Sequence, residues 1–227
     1  QTQYQFHSAF QQKWVGVEGA PRTLALYGDF NIKTLGVHVG IQSDQAGPVT
    51  RTSPTINVAQ TVQLAKDHKL SVGLRAQVDN WVVDYTKPRN VLFDPVFQGI
   101  TRSALNPNLG LGITYLYSDR FYLGASVLDM VGKGWSQDQP LYAHAHVFAG
   151  YFHPINRTTR LALSGVVNRT SNAPYDINLH ALLQNEKMGS AGLLYAPGDG
   201  LGFALAAPLN ESFKLYYHYI YPLNPLQ

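Results

Sequence analysis

The fold of this chain is decided by residues 109–127, which read LGLGITYLYSDRFYLGASV. The odd positions from Leu109 to Tyr117 are apolar or aromatic, whereas most even positions are small or polar. After a break at residues 118–120, the same alternation resumes and runs to Val127. Because successive side chains of a β-strand point to opposite faces, each stretch predicts a strand with one apolar face. Repeated strands of about ten residues with this pattern are typical of transmembrane β-barrels, in which the apolar face meets lipid.

The composition fits a membrane protein that is built from strands. Charged residues make up 14% of the 227 residues, whereas soluble domains carry about 25%. No apolar run reaches the length of about 18 residues that a membrane-spanning helix needs. The balance of 17 Lys and Arg against 14 Asp and Glu is too even for nucleic-acid binding. With no cysteine, the chain has no disulfide and no thiolate nucleophile or metal ligand.

The same two faces recur along the chain, and charged side chains fall on the polar face almost without exception. A Lys or Arg that faces lipid at mid-bilayer costs about 2–4 kcal/mol, so a barrel requires this placement. Aromatic residues gather toward strand ends, as they do at membrane interfaces. The apolar rows assigned to lipid include Leu24 and Leu26, Val37 and Val39, Ile56 and Val58, Leu70 to Val78 at even positions, Leu161 and Leu163, Leu179 and Ala181, and Leu201 and Phe203.

The breaks between strands alternate between short turns and mostly longer connections. Short turns are predicted near residues 31–33, 66–68, 118–120, 154–157, 185–187 and 210–212. Longer connections are predicted at Ser43–Pro54, Tyr85–Pro107 and Met130–Leu141, with shorter ones at residues 171–173 and 197–200. Outer-membrane barrels show this segregation, with short turns in the periplasm and longer loops outside the cell. The sequence therefore predicts an all-β fold, a transmembrane antiparallel up-and-down β-barrel that forms a single domain over residues 1–227.

The strand count adds an expectation about completeness. About twelve strands are predicted from Arg22 onward, preceded by one within Tyr4–Lys13. Single-chain bacterial barrels have an even number of strands. We therefore expect either a missing closing strand, with a missing N-terminal stretch, or a register displaced by one element. Because an outer-membrane protein crosses the inner membrane, we also expect a leader that is removed before Gln1.

The stretch WVGVEGAPRT, residues 14–23, resembles the WVGxEGAP-[KR]-T motif of the PorP/SprF family of Bacteroidota outer-membrane proteins. Residues 43–48, SDQAGP, resemble the family's NDKIGP loop, and residues 68–76, HKLSVGLRA, resemble its KLSFGLKAG strand. Residues 106–124 resemble its PNFGFGVYYYTDKFYVGLS hairpin. The motifs occur in the family's order and cover nearly the whole chain. The chain departs from the family in lacking an NPAYAG-like stretch before the first motif and in ending without a further strand.

The resemblance implies an outer-membrane barrel of about fourteen strands that works with the type IX secretion system. It implies a non-enzymatic protein that assists export or surface anchoring of secreted substrates, such as gliding adhesins, by binding their C-terminal domains. The implied partners are those domains, other type IX secretion or gliding components, and outer-membrane lipid and lipopolysaccharide. No cofactor, metal or catalytic residue is implied, and no nucleic acid is expected.

Two segments are candidates for partner binding. In the first, Gly16 and Gly19 permit unusual backbone conformations, Pro21 stiffens the exit and Trp14 offers a large anchor. The alternative is a packed loop that plugs or rims the barrel. In the second, Tyr85–Pro107, apolar and cationic side chains on a long surface loop suggest protein contact. The residues predicted to bind a partner are Trp14, Glu18, Pro21, Lys87, Arg89, Phe93, Phe97 and Arg102.

A polar network is predicted across the lumen, where it fills the barrel or tunes passage. Its predicted members are Arg75, Asp79, Arg160, Asp176, Asn178 and His180. Two further arrangements of polar residues, a metal site and a serine nucleophile, are alternatives. His144 and His146, two apart on one strand face, have the spacing to present two imidazoles to a metal ion. Ser164 could pair with one of them as a nucleophile. Lumen-facing polar residues without chemistry are the alternative to both.

Three other functions remain open at the level of sequence. A porin for small solutes fits the small residues on the polar face, which include Gly110, Gly112, Gly202, Ala204 and Ala206. A barrel enzyme that acts on lipid would need Ser164 or His144. The remaining hypothesis is a soluble β-sandwich lectin, which would require the apolar rows to be buried in a core surrounded by water.

Overall fold

A computed structural model describes residues 2–84, 101–131, 143–171, 173–210 and 212–223. This part of the chain contains thirteen strands and no helix. The candidate residues Lys87, Arg89, Phe93 and Phe97 lie outside the described residues. The strands are β1 (Thr2–Gln12), β2 (Arg22–Ile32), β3 (Leu35–Ala46), β4 (Val49–Ala65), β5 (His68–Asp84), β6 (Thr101–Tyr117), β7 (Phe121–Leu128), β8 (His144–Pro154), β9 (Thr159–Thr170), β10 (Asp176–Asn185), β11 (Gly189–Ala196), β12 (Gly200–Pro208) and β13 (Lys214–Pro222).

Each strand pairs with the next one along the chain, so the sheet order runs from β1 to β13. The ladders of eight of these strand pairs are antiparallel, and each pairs residues next to the connection between its two strands. The strand within Tyr4–Lys13 and the twelve strands after it are therefore confirmed. The chain divides into two compact units: the first is Gln1–Thr61, Val72–Leu111 and Leu128–Ala143, and the second is Val62–Ser71, Gly112–Val127 and His144–Gln227.

In the first unit, exposure alternates along each strand as the sequence predicts. Along β5, Val72, Leu74 and Val78 are exposed on one face, while Gln77 and Asp79 are buried on the other. The decisive row in β6 behaves in the same way, since Leu109 and Leu111 are about half exposed. The apolar face is therefore the exposed face of these strands, as a lipid-facing surface requires. We call the opposite face the covered face.

In the second unit the alternation is the same. Leu163 and Leu193 are exposed, while Ala162 and Leu194, each on the opposite face, are buried. β13 differs, because nearly all of its side chains are exposed on both faces. Within the described residues, no helix is long and apolar enough to cross a membrane.

Asparagine closes three successive short turns of the second unit in the same way. The side-chain Oδ1 of Asn156 accepts hydrogen bonds from the backbone N–H groups of residues 158 and 159. The Oδ1 of Asn185 accepts from residues 187 and 188, and that of Asn210 accepts from residues 212 and 213. These Asx turns satisfy backbone donors that the ladder leaves free, which is why asparagine recurs at the turns.

The structure corrects two of the predicted connections. Instead of a long loop at Ser43–Pro54, β3 continues to Ala46 and β4 begins at Val49, with a two-residue turn at Gly47 and Pro48. The ladder persists there through pairs such as Ser43 with Thr52. The connection predicted at Tyr85–Pro107 ends earlier, because β6 begins at Thr101. In both places the strands continue beyond the residues that form an apolar face, so the two-residue alternation of hydrophobicity fades before the strand ends.

Candidate functional site

The first candidate site is the loop between β1 and β2, residues 13–21, which we call the first loop. Its two ends are joined by a hydrogen bond of 2.9 Å from the backbone N of Lys13 to the backbone O of Pro21. Its far side is tied to the β3–β4 turn, where the N–H of Gly47 donates to the carbonyl of Gly19 at 2.9 Å. The loop is therefore held by the backbone at its base and at Gly19.

Inside the first loop, two tight turns fix the path of the chain. The N–H of Val17 donates to the carbonyl of Trp14 at 3.1 Å, and the N–H of Ala20 donates to that of Val17 at 3.3 Å. These turns require positive φ angles of 93° at Gly16 and 74° at Gly19, a region that glycine adopts without steric cost. Trp14 itself has a φ of 48°. The glycines predicted to permit unusual conformations do adopt them.

The side chains of the first loop point largely into solvent. Trp14 is 53% exposed, Val15 is 81% exposed and Val17 is 58% exposed. Glu18 is exposed beside them, whereas Pro21 is half-buried at the exit. An ordered backbone thus presents three apolar side chains and one carboxylate, with the exposed Lys13 at the base of the loop. Of the candidates in the second predicted segment, only Arg102 falls on a described strand, β6.

The second candidate site is a buried polar cluster in the first unit, on the covered face of β4 and β5. Asp79 has no solvent-accessible surface. Its carboxylate accepts hydrogen bonds from Nε and Nη2 of Arg51 at 3.0 and 2.9 Å. It also accepts from Oγ of Ser53 and Nε2 of Gln77, both at 2.6 Å. A buried carboxylate with four donors of this kind is fully compensated for the loss of water. We call these four residues the Asp79 cluster.

Neighbouring side chains extend the Asp79 cluster. Arg75 donates from Nε and Nη2 to Oε1 of Gln77, which joins the two predicted residues Arg75 and Asp79 through an intermediate. The guanidinium of Arg51 also lies 5.2 Å from the ring centre of Trp81. Its Nη2 is 3.8 Å from Oδ1 of Asp129. The alternation of β5 predicts Gln77 on the polar face. Arg51 and Ser53 lie within the predicted loop Ser43–Pro54, so the sequence pattern does not identify them as members of the cluster.

In the second unit, two other predicted network residues meet in a chain of hydrogen bonds. Asp176 accepts from Nδ2 of Asn178 at 2.9 Å and from Nδ2 of Asn168 at 2.7 Å. The Oδ1 of Asn168 therefore faces Nδ1 of His146, 2.6 Å away, and accepts a hydrogen bond from its N–H. Asn168 and His146 are additions to the predicted set.

The remaining predicted residues, Arg160 and His180, lie elsewhere on the second unit. The Nε of Arg160 donates to Oε1 of Gln184 at 2.9 Å, and its guanidinium lies 4.3 Å from the ring centre of Phe152. His180 lies opposite Ser164 in the ladder between β9 and β10. Arg160 is thus near the short-turn end of β9, and His180 is near the middle of β10.

Neither the metal site at His144 and His146 nor a Ser164 nucleophile paired with one of them is assembled in the structure. The Nδ1 atoms of His144 and His146 are hydrogen-bonded to Thr170 and Asn168, and the imidazoles are nearly parallel at a centroid distance of 6.5 Å. Parallel rings at this spacing do not converge on one ion, which needs each nitrogen within about 2.1 Å. Among the described residues, no group of three or more His, Asp or Glu side chains is placed to hold a metal. Ser164 lies opposite Gly150, four residues along β8 from His146.

Comparison with known proteins agrees with the motifs. A family model described as "Type IX secretion system membrane protein PorP/SprF" matches residues 1–227, the whole chain. No curated protein and no solved structure matches the chain. The match and the antiparallel up-and-down sheet together confirm the predicted fold class, and a barrel is the architecture that the match fits.

Proposed function

The chain belongs to the PorP/SprF family of type IX secretion system membrane proteins, and from that premise we propose that it binds C-terminal domains of type IX secretion substrates at the outer membrane. In this proposal the chain is one outer-membrane β-barrel domain that assists export of the substrates or anchors them at the cell surface. Gliding adhesins are one class of substrate that fits this role. The chain acts by binding and not by catalysis.

The observation that carries this proposal is the first loop. Contact of apolar side chains with water is unfavourable, so a cluster of exposed ones on a fixed backbone marks a protein contact. Here Trp14, Val15 and Val17 are exposed although backbone hydrogen bonds hold the loop at its base and at Gly19. A surface that is ordered before it binds loses less conformational entropy on association. Tryptophan is also among the residues that contribute most to binding energy at protein interfaces.

The first loop also defines the chemistry of its partner. Glu18 is the only charged side chain between Trp14 and Pro21. The partner surface therefore carries an apolar depression for the indole of Trp14 and a cation that pairs with Glu18. We also propose that the partner is contacted by residues of the second predicted segment, among them Phe93 and Arg102.

The proposed location in the outer membrane is supported by the exposed apolar rows of both units. Leu74 in the first unit and Leu193 in the second are 62% and 60% exposed. In water such rows cost free energy, whereas hydrocarbon and the acyl chains of lipopolysaccharide cover them. Other type IX secretion components are the expected neighbours in that membrane.

The test is co-purification of the detergent-solubilised chain with a reporter protein that is fused to the C-terminal domain of a type IX substrate. A variant with Trp14→Ala, Val15→Ser and Val17→Ser is expected to retain less than about a tenth of the bound reporter, because it removes the apolar anchors. The matched control is Ile155→Ser with Leu209→Ser, which changes exposed apolar residues in short turns.

The proposal is wrong if the triple variant retains the reporter, or if the control loses it equally. A chain that binds no reporter but conducts small solutes in planar bilayers would support the porin instead. One of the small residues that suggested a porin has another role. A Cβ atom at Gly202 would collide with the carbonyl of Tyr219, so this glycine serves strand packing and does not widen a passage.

A further inference from the structure

A cavity of about 670 Å³ lies in the second unit, at the short-turn end of the covered face of β9 to β13. Its volume falls within the range of about 300–1,000 Å³ that is typical of sites for small molecules. It is formed entirely by residues between Pro154 and Tyr216. None of these residues belongs to the first loop or to the Asp79 cluster.

The floor of the cavity follows from the register of five strands. Arg160 pairs with Gln184, Gln184 with Ser190, Ser190 with Ala206, and Ala206 with Tyr216. Large side chains therefore stand at the two ends of one cross-strand row, and small ones occupy its centre. Because neighbouring strands lie about 4.8 Å apart, the backbones at the two ends are about 19 Å apart, and the long side chains at the ends reach inward over the small ones.

The walls of the cavity are cationic. Arg157 and Arg160 lie on one side and Lys214 on the other, while Glu186 is the only carboxylate among the residues that line it. None of the three cations forms a salt bridge with a carboxylate in the part of the chain that the structure describes. Glu211, between β12 and β13 in the sequence, lies outside the described residues.

Arg160 is held in a defined orientation. Its Nε donates to Gln184 and its plane lies over the ring of Phe152, so the guanidinium is fixed from two sides. These contacts use Nε and one face of the guanidinium. Within the described residues no hydrogen bond occupies the Nη atoms, and Arg160 lines the cavity. A guanidinium that is fixed before binding loses little side-chain entropy when an anion arrives, and its paired donors match carboxylate and phosphate oxygens.

We propose that this cavity is a binding site for a small organic anion that carries carboxylate or phosphate groups. Arg160 receives one anionic group and Lys214, across the floor of Ser190 and Ala206, receives a second. The end with short turns faces the periplasm in outer-membrane barrels, so the anion enters from that compartment. The site is independent of substrate binding at the first loop and stands whether or not that proposal holds.

The presence of cations on both sides of the cavity favours a ligand with two anionic groups over one with a single charge. Each charge-assisted hydrogen bond that is made in a partly enclosed cavity adds to the affinity. A dianion engages both walls, whereas a monoanion engages one. The same chemistry is present in a soluble phosphate or carboxylate and in the headgroup of an anionic lipid, and the experiment separates these two sources.

The experiment is isothermal titration of the full chain in a neutral detergent, with inorganic pyrophosphate and citrate as probes. Arg160→Gln and Lys214→Gln are each expected to weaken binding by about tenfold or more. Ala206→Phe fills the floor without changing the charge and is expected to abolish binding. The matched control is Arg169→Gln, at the other end of β9, where the arginine lies over Tyr175 and donates to a backbone carbonyl.

The source is resolved by repeating the titration in nanodiscs of phosphatidylcholine with and without phosphatidylglycerol. Equal pyrophosphate affinity in the two membranes identifies a soluble anion, while weaker binding in the presence of phosphatidylglycerol identifies a lipid headgroup. The proposal is overturned if neither probe binds the wild-type chain. It is also overturned if Arg169→Gln weakens binding as much as Arg160→Gln, because diffuse positive charge would then explain the result. Circular dichroism of each variant checks that the sheet is retained, and Ala206→Phe tests the site without touching a charge.

Discussion

The guanidinium of Arg51 holds the carboxylate of Asp79 through two parallel hydrogen bonds, Nε to Oδ1 at 3.0 Å and Nη2 to Oδ2 at 2.9 Å. Asp79 is wholly buried, while the side chain of Arg51 keeps 23% of its exposure. Taking the carboxylate out of water is unfavourable, and the Coulomb attraction and hydrogen bonds of the pair offset that cost. The pair thus specifies how β4 and β5 lie together more than it adds net stability.

Asp79→Ala is expected to lower the free energy of unfolding by about 3 kcal/mol, at the low end of the range for a broken buried pair. The low end applies because Arg51 is partly exposed and lies 3.8 Å from Asp129, which partly compensates its charge. Urea titration of the detergent-folded chain, followed by tryptophan fluorescence, measures this loss.

The control for this prediction is Asp119→Asn, which breaks an exposed ion pair with Lys69 and is expected to cost less than about 1 kcal/mol. The double change Arg51→Met with Asp79→Leu is expected to recover most of the loss, because it removes both charges together. Equal destabilisation by Asp79→Ala and Asp119→Asn would contradict the role given to burial.

The Asp79 cluster also shows how far the sequence could be read. Arg75, Gln77 and Asp79 were placed on the polar face by the two-residue rhythm of β5, and the structure puts all three on the covered face. Arg51 and Ser53 are not predicted, because they lie in a segment whose apolar alternation is too weak to indicate a strand. Their odd-numbered row continues with Thr55 and Asn57, so a polar rhythm was present where the apolar one had faded.

The contacts between strands could not be read from one sequence in the same way. Alternation identifies the face of each residue but does not say which residue of the next strand lies beside it. The cavity at the short-turn end depends on four successive registers from Arg160 to Tyr216. Each register is set by the length and geometry of a turn, and a shift of one residue would place Arg160 opposite Leu183 or Asn185 instead of Gln184.

Leu111→Arg is expected to destabilise the membrane-inserted chain by about 2–4 kcal/mol, since it places a charge on the lipid face near mid-bilayer. Leu111 is 46% exposed in the middle of the apolar row of β6. Leu105→Arg, on the same face of the same strand but six residues nearer the loop end, is expected to cost no more than about 1 kcal/mol. The extent of folding into liposomes, measured by heat modifiability on gels, reports both. A result in which the two substitutions behave alike would remove the case for a lipid-facing row.

Gly189→Ala is expected to disrupt the hairpin of β11 and β12. Gly189 has a φ of 100°, and a Cβ atom there would collide with the carbonyl oxygen of Ala206. Gly16→Ala is the matched control, because its φ of 93° is equally unfavourable for alanine but nothing lies within 4 Å of the added atom. The control is expected to cost about 1 kcal/mol, whereas Gly189→Ala should cost about 3 kcal/mol or more. Urea titration distinguishes the two, and similar losses would show that backbone strain alone governs both positions.

Gly47→Ala is expected to loosen the first loop without altering any residue of that loop. The N–H of Gly47 donates to the carbonyl of Gly19. Gly47 itself has a φ of 55°, so alanine at this position strains the turn that holds Gly19. A loss of about 1 kcal/mol in local stability raises the open population about fivefold. Glu18 is exposed within the loop, so cleavage after it by a glutamate-specific protease should accelerate by the same factor when opening is fast. Gly198→Ala makes the same change in the β11–β12 turn, at a φ of 101°, and is expected to leave this cleavage rate unchanged. If Gly47→Ala also leaves it unchanged, the bond to Gly19 does not order the loop, and the preorganised surface proposed for partner binding loses its physical basis.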